Sequence, residues 1–363
     1  MNPIRVLLIV LAGLAAGCSG TEEPGTFCPR GEASRGPALA ADRGYLLVAD
    51  GLSEDWAAAR IDTGGATPVG GRGLLGRAPS RLAARGREVL VVNSLDNAVQ
   101  ILNTATGITA GCIDIGRGTN PWDVCVDPAD PSRAWVSTFL TGEIVEVDLD
   151  ARRVLRRAVV EPGAEALLVT ATRIAVTLTG YDGSTGEFGV GQVAVLDRAT
   201  LAEIRRLDVP ANPQHLFEGA DGRVHVVCTG NYGNHDPETF GSVVRIESDW
   251  SVVRDTLDLG GSPARAAVAP DGTAYVAAFF GGLMTYDSAA FLPLRTAVNP
   301  LDPSAGWADV VTAGEYVHAV NFDLDAVAVI DPESGAIVGE FLVGDGPVAA
   351  VWLPPLDPAS PGS

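Results

Sequence analysis

The sequence predicts an all-β fold, a seven-bladed β-propeller of four-stranded blades. One unit recurs every 40 to 50 residues or so, the range typical of propeller blades. No helical periodicity is sustained beyond the N-terminal segment, which disfavours an α/β fold. Each unit contains one strand of β-branched and small residues, and there are seven: Tyr45–Ala49, Val89–Asn93, Ala134–Ser137, Ile174–Thr177, Val224–Cys228, Ala274–Ala277 and Tyr316–Val320.

The other strands of each unit are marked by turn residues. The next strand alternates and ends in an acidic or amide residue: Asp62, Asn103, Asp148, Asp197, Glu247, Asp287 and Asp331. In turns such as Asn103–Gly107, the leading side chain caps its own backbone and glycine accepts a positive φ. A Gly/Pro crossing, as in Gly118–Trp122, then leads into another short apolar strand. Four short strands per unit are typical of a propeller blade.

The two ends of the chain compete to close the ring, because eight candidate innermost strands are present for seven blades. Either Pro347–Leu353 or Pro37–Ala41 completes the first blade. We expect the C-terminal strand to do so, since it is longer and more apolar.

Three segments, Gly261–Ala264, Asp271–Ala277 and Val327–Asp331, resemble the YVTN-type β-propeller repeats of secreted bacterial proteins. The resemblance extends from Pro37 to Leu353. It implies the seven-bladed fold, but propellers host many unrelated functions, so it implies no particular activity.

The N-terminus predicts export. Arg5 precedes the apolar run Val6–Ala16, which is too short to span a bilayer. The small residues Ala15–Gly17 before Cys18 resemble the lipobox of bacterial lipoproteins, which implies that Cys18 is lipidated. Ordinary secretion, with cleavage after a small residue, is the alternative. Ser19 does not resemble the aspartate that retains such proteins in the inner membrane, so we expect an outer-membrane lipoprotein.

These features divide the chain into a signal peptide (1–17), a lipid-anchor linker (18–36), the propeller (37–354) and a Pro-rich tail (355–363). We expect the lipid anchor to be the only contact with the membrane, since two or more acyl chains hold a protein stably.

The composition excludes several functions. All 25 basic residues are arginine, and 45 acidic residues give a net charge of −20. The absence of lysine excludes Schiff-base enzymes, covalent pyridoxal phosphate and P-loop nucleotide binding. An acidic surface repels phosphate backbones, so no nucleic-acid partner is expected. We expect a monomer.

Four cysteines besides Cys18 permit two disulfides in an oxidising compartment, with three possible connectivities: they are Cys28, Cys112, Cys125 and Cys228. A bond between Cys28 and Cys112 would pin the linker to the folded body. Cys125 and Cys228 lie in apolar strands and have an alternative role as small buried residues. No pair has metal-binding spacing, and no Cys-x-x-Cys-His motif for covalent haem c occurs.

A candidate binding site emerges when the innermost strands are aligned on their Gly/Pro crossings. In six of seven blades the residue two after the Pro position is ionisable, and the seventh blade has Ala349: the six are Arg81, Asp123, Glu165, His215, Arg265 and Asp309. They predict a mixed-charge ring at one mouth of the central tunnel. The ring either binds a polar ligand, through the planar guanidinium groups, or consists of ion pairs between blades.

Long loops and aromatic residues are predicted on the same face. The segments Tyr181–Gly191 and Asn231–Gly241 are longer than the other loops, and rigid scaffolds commonly bind ligands with such loops. Trp122 and Trp307 would wall a ligand site or pack between blades, the second being the commoner role. Two weaker metal-site hypotheses combine side chains of these loops: His215 with His235 and Asp236, and a calcium loop at Asp182–Glu187.

No catalytic residue, metal or other cofactor is assigned. His225 and His318 lie within strands and are expected to be buried, and neither Gly-x-Ser-x-Gly nor His-Glu-x-x-His occurs. We therefore interpret the chain as a non-enzymatic binding scaffold that presents one propeller face to a protein or a small polar ligand. The alternative is a metal-dependent hydrolase or lactonase of the propeller type.

Overall fold

The computed structural model describes residues 28–63, 65–232 and 241–356. The predicted signal peptide, Cys18 and residues 357–363 of the predicted tail lie outside these ranges. Within them the chain forms seven four-stranded antiparallel sheets, the blades of a propeller, which confirms the predicted fold class. A small extra hairpin and two short 3₁₀ turns complete the described structure, and neither turn is long and apolar enough to cross a membrane.

The strands follow the chain from blade to blade. Blades 1 to 4 contain, in chain order, β1 (Gly44–Asp50), β2 (Asp55–Asp62) and β3 (Gly65–Leu74); β4 (Pro79–Arg85), β5 (Glu88–Asn93), β6 (Ala98–Asn103) and β7 (Ile108–Asp114); β8 (Pro121–Val126), β9 (Arg133–Thr138), β10 (Glu143–Asp148) and β11 (Arg153–Val159); β12 (Ala164–Val169), β13 (Arg173–Leu178), the hairpin β14 (Tyr181–Asp182) and β15 (Glu187–Phe188), β16 (Gly191–Asp197) and β17 (Glu203–Val209).

Blades 5 to 7 and the closing strand contain β18 (Pro213–Glu218), β19 (Val224–Cys228), β20 (Ser242–Ile246) and β21 (Val253–Asp258); β22 (Pro263–Val268), β23 (Thr273–Ala278), β24 (Gly282–Asp287) and β25 (Leu292–Arg295); β26 (Trp307–Ala313), β27 (Tyr316–Asn321), β28 (Ala326–Asp331) and β29 (Ala336–Leu342); and β30 (Pro347–Leu353).

The C-terminal strand closes the ring, as predicted. β30 pairs antiparallel with β1, from Tyr45 opposite Leu353 to Ala49 opposite Ala349, so blade 1 has the order β3-β2-β1-β30. The competing segment around Leu39 forms no strand. It runs instead along the turn that joins β6 to β7, where the Leu39 N–H donates to the Thr104 carbonyl at 2.8 Å.

The core lies between blades rather than within them. Successive side chains of a strand point to opposite faces of its sheet. In β1, Leu46 and Val48 therefore pack with Val320 of blade 7, whereas Leu47 packs with Val91 of blade 2. Both faces of a blade are covered by its neighbours, which is why these strands are apolar at nearly every position.

A disulfide joins Cys28 to Cys112 of β7, the bond considered from the sequence among three possible connectivities, and Cys125 and Cys228 are free thiols. Neighbouring hydrogen bonds hold the same segment: the Thr109 N–H donates to Ser34 Oγ at 3.1 Å and the Gly36 N–H donates to the Gly107 carbonyl at 2.8 Å. The chain before blade 1 is thus fastened to the outer part of blade 2.

Candidate functional site

A β-bulge in each innermost strand shapes the tunnel mouth. Pairing between the first and second strands of a blade shifts register just after the crossing; in blade 2, for example, Pro79 lies opposite Asn93 and Arg81 opposite Val92, leaving Ser80 as the extra residue. The same shift occurs in all seven blades. Bulges re-aim side chains. Here they direct one residue of each strand toward the tunnel, and in six blades the predicted ring residue, or Ala349, follows it. In blade 4 the predicted register is wrong by one residue, because β12 begins at Ala164: Glu165 is the bulge residue, and Ala166 holds the ring position.

Three of the six predicted ring residues tie one blade to the next. Asp123 Oδ2 accepts a hydrogen bond from the Leu167 N–H at 2.9 Å, and Asp309 Oδ2 accepts one from the Ala350 N–H at 2.9 Å. His215 Nδ1 accepts one from the Ala266 N–H at 3.0 Å. These residues belong to blades 3, 7 and 5. Each accepts its hydrogen bond from the main chain of the following blade, which differs from the ion pairs considered from the sequence.

The other three ring residues, in blades 2, 4 and 6, have buried polar atoms without a hydrogen-bond partner in the described parts of the chain. These atoms are Arg81 Nε, Glu165 Oε2, and Nε and Nη1 of Arg265. Arg265 Nε approaches Asp309 Oδ1 at 3.6 Å, an ion pair too long to be a hydrogen bond. Arg81 Nη1 donates to the Ser80 carbonyl at 2.8 Å, which leaves its Nε–H unused.

The ring residues act on one another electrostatically. Burial raises the pKa of Glu165 to about 8, although Arg81 and Arg265 oppose the rise. Burial and the charge of Arg265 lower the pKa of Arg81 to about 10, against the attraction of Asp309, Asp123 and Glu165. Burial, Arg265 and Arg81 hold the pKa of His215 well below its usual range. At neutral pH the ring therefore contains a neutral imidazole and a mostly protonated Glu165.

A pocket of about 140 Å³ lies above the ring at the mouth of the tunnel. Its wall contains the bulge residues Ser80, Trp122, Gln214, Ala264, Ala308 and Val348, together with residues that follow the second strands, among them Leu95, Tyr232, Phe279 and Phe322. Arg81 also lines it. The crossings and the loops after the second strands therefore meet on one face, as predicted, and both predicted tryptophans, Trp122 and Trp307, line the pocket.

Three residues of the pocket wall have buried N–H groups without hydrogen-bond partners. Trp122 and Trp307 are in the wall, and their Nε1–H groups, like Arg81 Nε–H, are buried without a partner among the described residues. Trp307 is only 3% exposed. The other buried side-chain polar atoms that lack partners belong to residues outside this wall. These N–H groups have almost no accessible surface, so they lie behind the pocket wall rather than on it.

An aromatic series extends the mouth on one side. Ring contacts run from Trp122 through Phe139, Tyr181 and Phe188 to Tyr232, with centroids 5.2 to 6.3 Å apart. The predicted long loops meet within this series. The Phe188 N–H donates to Asn231 Oδ1 at 2.8 Å, and Asn231 Nδ2 donates to the Phe188 carbonyl at 3.1 Å.

The metal-site hypotheses gain no support from the described residues, in which no group of three or more His, Cys, Asp or Glu side chains is placed to hold an ion. Asp182 Oδ1 accepts hydrogen bonds from Ser184 N–H and Oγ–H, at 2.8 and 2.7 Å, and so caps its own hairpin turn. His235, Asp236 and Glu238 lie outside the described residues. His225 and His318 are fully buried, as predicted.

No protein-family model and no curated protein sequence matches this chain. Solved structures share its fold. A proposed 6-phosphogluconolactonase of Bacteroides uniformis superposes with a TM-score of 0.65 at 15% identity, covering 86% of this chain and 99% of that one. Hydrazine synthase of Kuenenia stuttgartiensis gives 0.58 at 14% identity, with coverages of 75% and 88%. Apo AztD of Citrobacter koseri gives 0.53 at 15% identity, with coverages of 88% and 89%.

At these identities the similarity establishes the seven-bladed fold alone. Sequence reasoning found the ring but missed part of the pocket wall, including Gln214, Tyr232, Phe279 and Phe322. A signal for some of them was present, because an aromatic residue directly follows the second strand in blades 3, 6 and 7, at Phe139, Phe279 and Phe322.

Proposed function

We propose that this protein is a non-enzymatic binding protein that holds a small polar ligand in the tunnel-mouth pocket. The observation that carries the proposal is a concave pocket whose apolar and aromatic walls also include the polar side chains of Arg81, Gln214 and Tyr232. Ligand sites typically combine such apolar walls with a few convergent polar groups. The concavity favours a small molecule over a protein partner.

A titration of the purified protein tests the proposal. Benzoate, benzamide and benzylamine suit the pocket volume, since a dry cavity of about 150 Å³ holds benzene. We expect at least one of them to bind with 1:1 stoichiometry and to alter tryptophan fluorescence, because Trp122 and Trp307 line the pocket.

Paired variants locate the binding. Ala264→Leu fills the pocket and should abolish binding, whereas Ala289→Leu, in an exposed turn at the opposite end of the same blade, should leave it unchanged. The proposal is wrong if no probe binds, or if Ala264→Leu binds as well as the parent protein.

The metal-dependent hydrolase or lactonase remains the competing function. His215 would be its ligand, and the Nδ1 atom of His215 already accepts the inter-blade hydrogen bond from Ala266. One metal ion per purified chain, measured by elemental mass spectrometry and lost in His215→Ala, would favour the hydrolase over the binding protein.

We further propose that the protein is anchored in the outer membrane through a lipidated Cys18, as a monomer without nucleic-acid partners. The sequence of residues 15 to 18 supports the anchor. Membrane fractionation tests it: Cys18→Ala should release the protein from the membrane fraction, and its retention there would contradict the proposal.

A further inference from the structure

The wall of the tunnel-mouth pocket is apolar on one side and polar on the other. Blades 6, 7 and 1 contribute apolar and aromatic residues to it: Ala264, Phe279, Trp307, Ala308, Phe322 and Val348. Blades 3 and 5 contribute the amide side chains of Asn120 and Gln214 and the hydroxyl group of Tyr232. A ligand that complements this wall therefore has an apolar body and a polar end.

The amide group of Gln214 is fixed with its oxygen unused. Its Nε2 donates to Asn212 Oδ1 at 3.3 Å and to the Tyr232 hydroxyl at 2.9 Å. Asn212 is oriented in turn, because its Nδ2 donates to the Gly230 carbonyl at 3.2 Å. Turning the Gln214 amide over would set its oxygen against Asn212 Oδ1. Gln214 Oε1 thus remains an acceptor; it has no partner in the described chain and, unlike the indole N–H groups, it keeps accessible surface.

Asn120 supplies a second acceptor, from blade 3. Its Nδ2 lies 3.4 Å from the Ser94 carbonyl, to which it donates, whereas its Oδ1 keeps accessible surface and has no partner among the described residues. Tyr232 supplies a donor, because its hydroxyl oxygen accepts from Gln214 and its own O–H is left to donate. Blades 3 and 5 therefore offer two acceptors and one donor.

The serine hydroxyl groups of blade 2 add no further donor. Ser80 Oγ donates to the Trp122 carbonyl at 3.0 Å, and Ser94 Oγ donates to the Pro121 carbonyl at 2.8 Å. Both hydroxyl hydrogens are therefore used within the protein.

The charges around the pocket favour an uncharged ligand. Arg81 in the wall and Arg265 in the ring below would repel a cation. The charge of Arg81 is already attracted by Asp123 and Asp309, and an anion would also face the two amide oxygens. Because a charge buried in an apolar site costs free energy unless it is paired, neither kind of ion suits this pocket.

A primary amide matches the polar side of the wall, since it has two N–H donors and one carbonyl acceptor. The volume of about 140 Å³ matches one six-membered ring, which the apolar side would cover. We infer that the ligand of this pocket is a small uncharged aromatic carboxamide, whose N–H groups donate to Gln214 Oε1 and Asn120 Oδ1. This inference rests on the proposed binding function and specifies its ligand class.

Four probes with one ring each test the class, by isothermal titration calorimetry at pH 7. Acetophenone has nearly the shape of benzamide, with a methyl group in place of the NH₂ group. We expect benzamide to bind at least about tenfold more tightly than acetophenone, because acetophenone leaves two acceptors of the wall without donors. Benzoate and benzylamine are charged and should bind more weakly than benzamide. If any of these three binds as tightly as benzamide, the carboxamide inference fails while the proposed function stands; if no probe binds, both fail.

Two glutamines provide a matched pair of variants. Gln214→Met removes the acceptor but keeps the length of the side chain. It should weaken benzamide binding by about tenfold and change acetophenone binding little. Gln192 of β16 lies outside the pocket wall, where it contacts Asp208 and Arg206, and Gln192→Met should leave both affinities unchanged. Equal losses for benzamide and acetophenone in Gln214→Met would indicate a packing role and overturn the assignment of Gln214.

Asn120→Gly tests the second acceptor, and does so even if Gln214→Met does not fold. Asn120 has a φ of 49°, a conformation that glycine adopts without strain, so this variant removes the amide and keeps the backbone. Benzamide binding should weaken by about threefold to tenfold, while acetophenone binding is the control that stays unchanged. If benzamide binds Asn120→Gly and Gln214→Met as tightly as the parent protein, the inference is wrong.

Discussion

In the ring around the tunnel, Asp123, His215 and Asp309 differ from Arg81, Glu165 and Arg265 in what their polar atoms contact. The first three accept a hydrogen bond from the main chain of the next blade. The second three keep buried polar atoms without a hydrogen-bond partner in the described chain. The first three belong to blades 3, 5 and 7; of the second three, Glu165 lies at the bulge of blade 4, one residue before the ring position. Three of the six side chains join blades, and of the other three, Arg81 lines the tunnel-mouth pocket.

The largest expected effect on stability follows from removing a side chain that joins two blades by a hydrogen bond. Asp309→Ala leaves the Val310 and Ala350 N–H groups without their acceptor and Arg265 without its nearest carboxylate. We expect the free energy of unfolding to fall by about 3 to 5 kcal/mol, measured by urea denaturation. Asp123→Ala, which removes the same kind of tie without that ion pair, should cost less. A loss below that of Arg81→Gln would contradict the division of the ring.

The disulfide gives a contrast outside the ring. Replacing both Cys28 and Cys112 by serine removes the covalent link between the N-terminal segment and blade 2, and should cost about 2 to 4 kcal/mol of unfolding free energy. Benzamide affinity should not change, because the segment follows the face opposite the pocket. A weaker affinity in this variant would show that the two faces are coupled.

The buried carboxyl group of Glu165 should make the stability of the protein depend on pH. Its pKa is raised in the folded protein to about 8 from an ordinary value of 4.5, mainly by burial. Folding therefore favours the protonated form, and this contribution to stability is complete below pH 4.5 and lost as the pH rises to 8. Glu165→Gln cannot ionise, so its unfolding free energy relative to the parent protein should rise by about 3.5 kcal/mol between pH 5 and pH 8.

Asp50 is the control for that measurement. Burial and the neighbouring Asp55 also raise the pKa of Asp50 to about 8, and Asp50 lies in blade 1, which has alanine at the ring position. Asp50→Asn should show a similar pH-dependent gain without altering benzamide binding. A pH-independent difference for Glu165→Gln would show that this carboxyl is already ionised at pH 5.

The smallest expected effect on stability is that of Arg81→Gln. Burial lowers the pKa of Arg81 and so opposes its charge, and its guanidinium donates a hydrogen bond to the adjacent Ser80 carbonyl. We expect the unfolding free energy to change by no more than about 1 kcal/mol, measured by urea denaturation. A loss of stability as large as that for Asp309→Ala would show that Arg81, like Asp309, joins neighbouring blades.

The sequence by itself determined the blades, the closing strand and all but one of the ring positions. The repeat spacing, the turn residues and the apolar runs express local rules of strand and turn formation. The crossings located Arg81 and four of its counterparts; in blade 4, which lacks the proline, they indicated Glu165 where the strand places Ala166. Residues 15 to 18 predicted an anchor that the described residues do not test. Only the tertiary structure decided which ring residues form hydrogen bonds to the next blade. These bonds depend on where a bulge in one blade places a side chain against the main chain of the next, as between Asp309 and Ala350. Such contacts join strands remote in sequence, and no periodicity within one repeat specifies them.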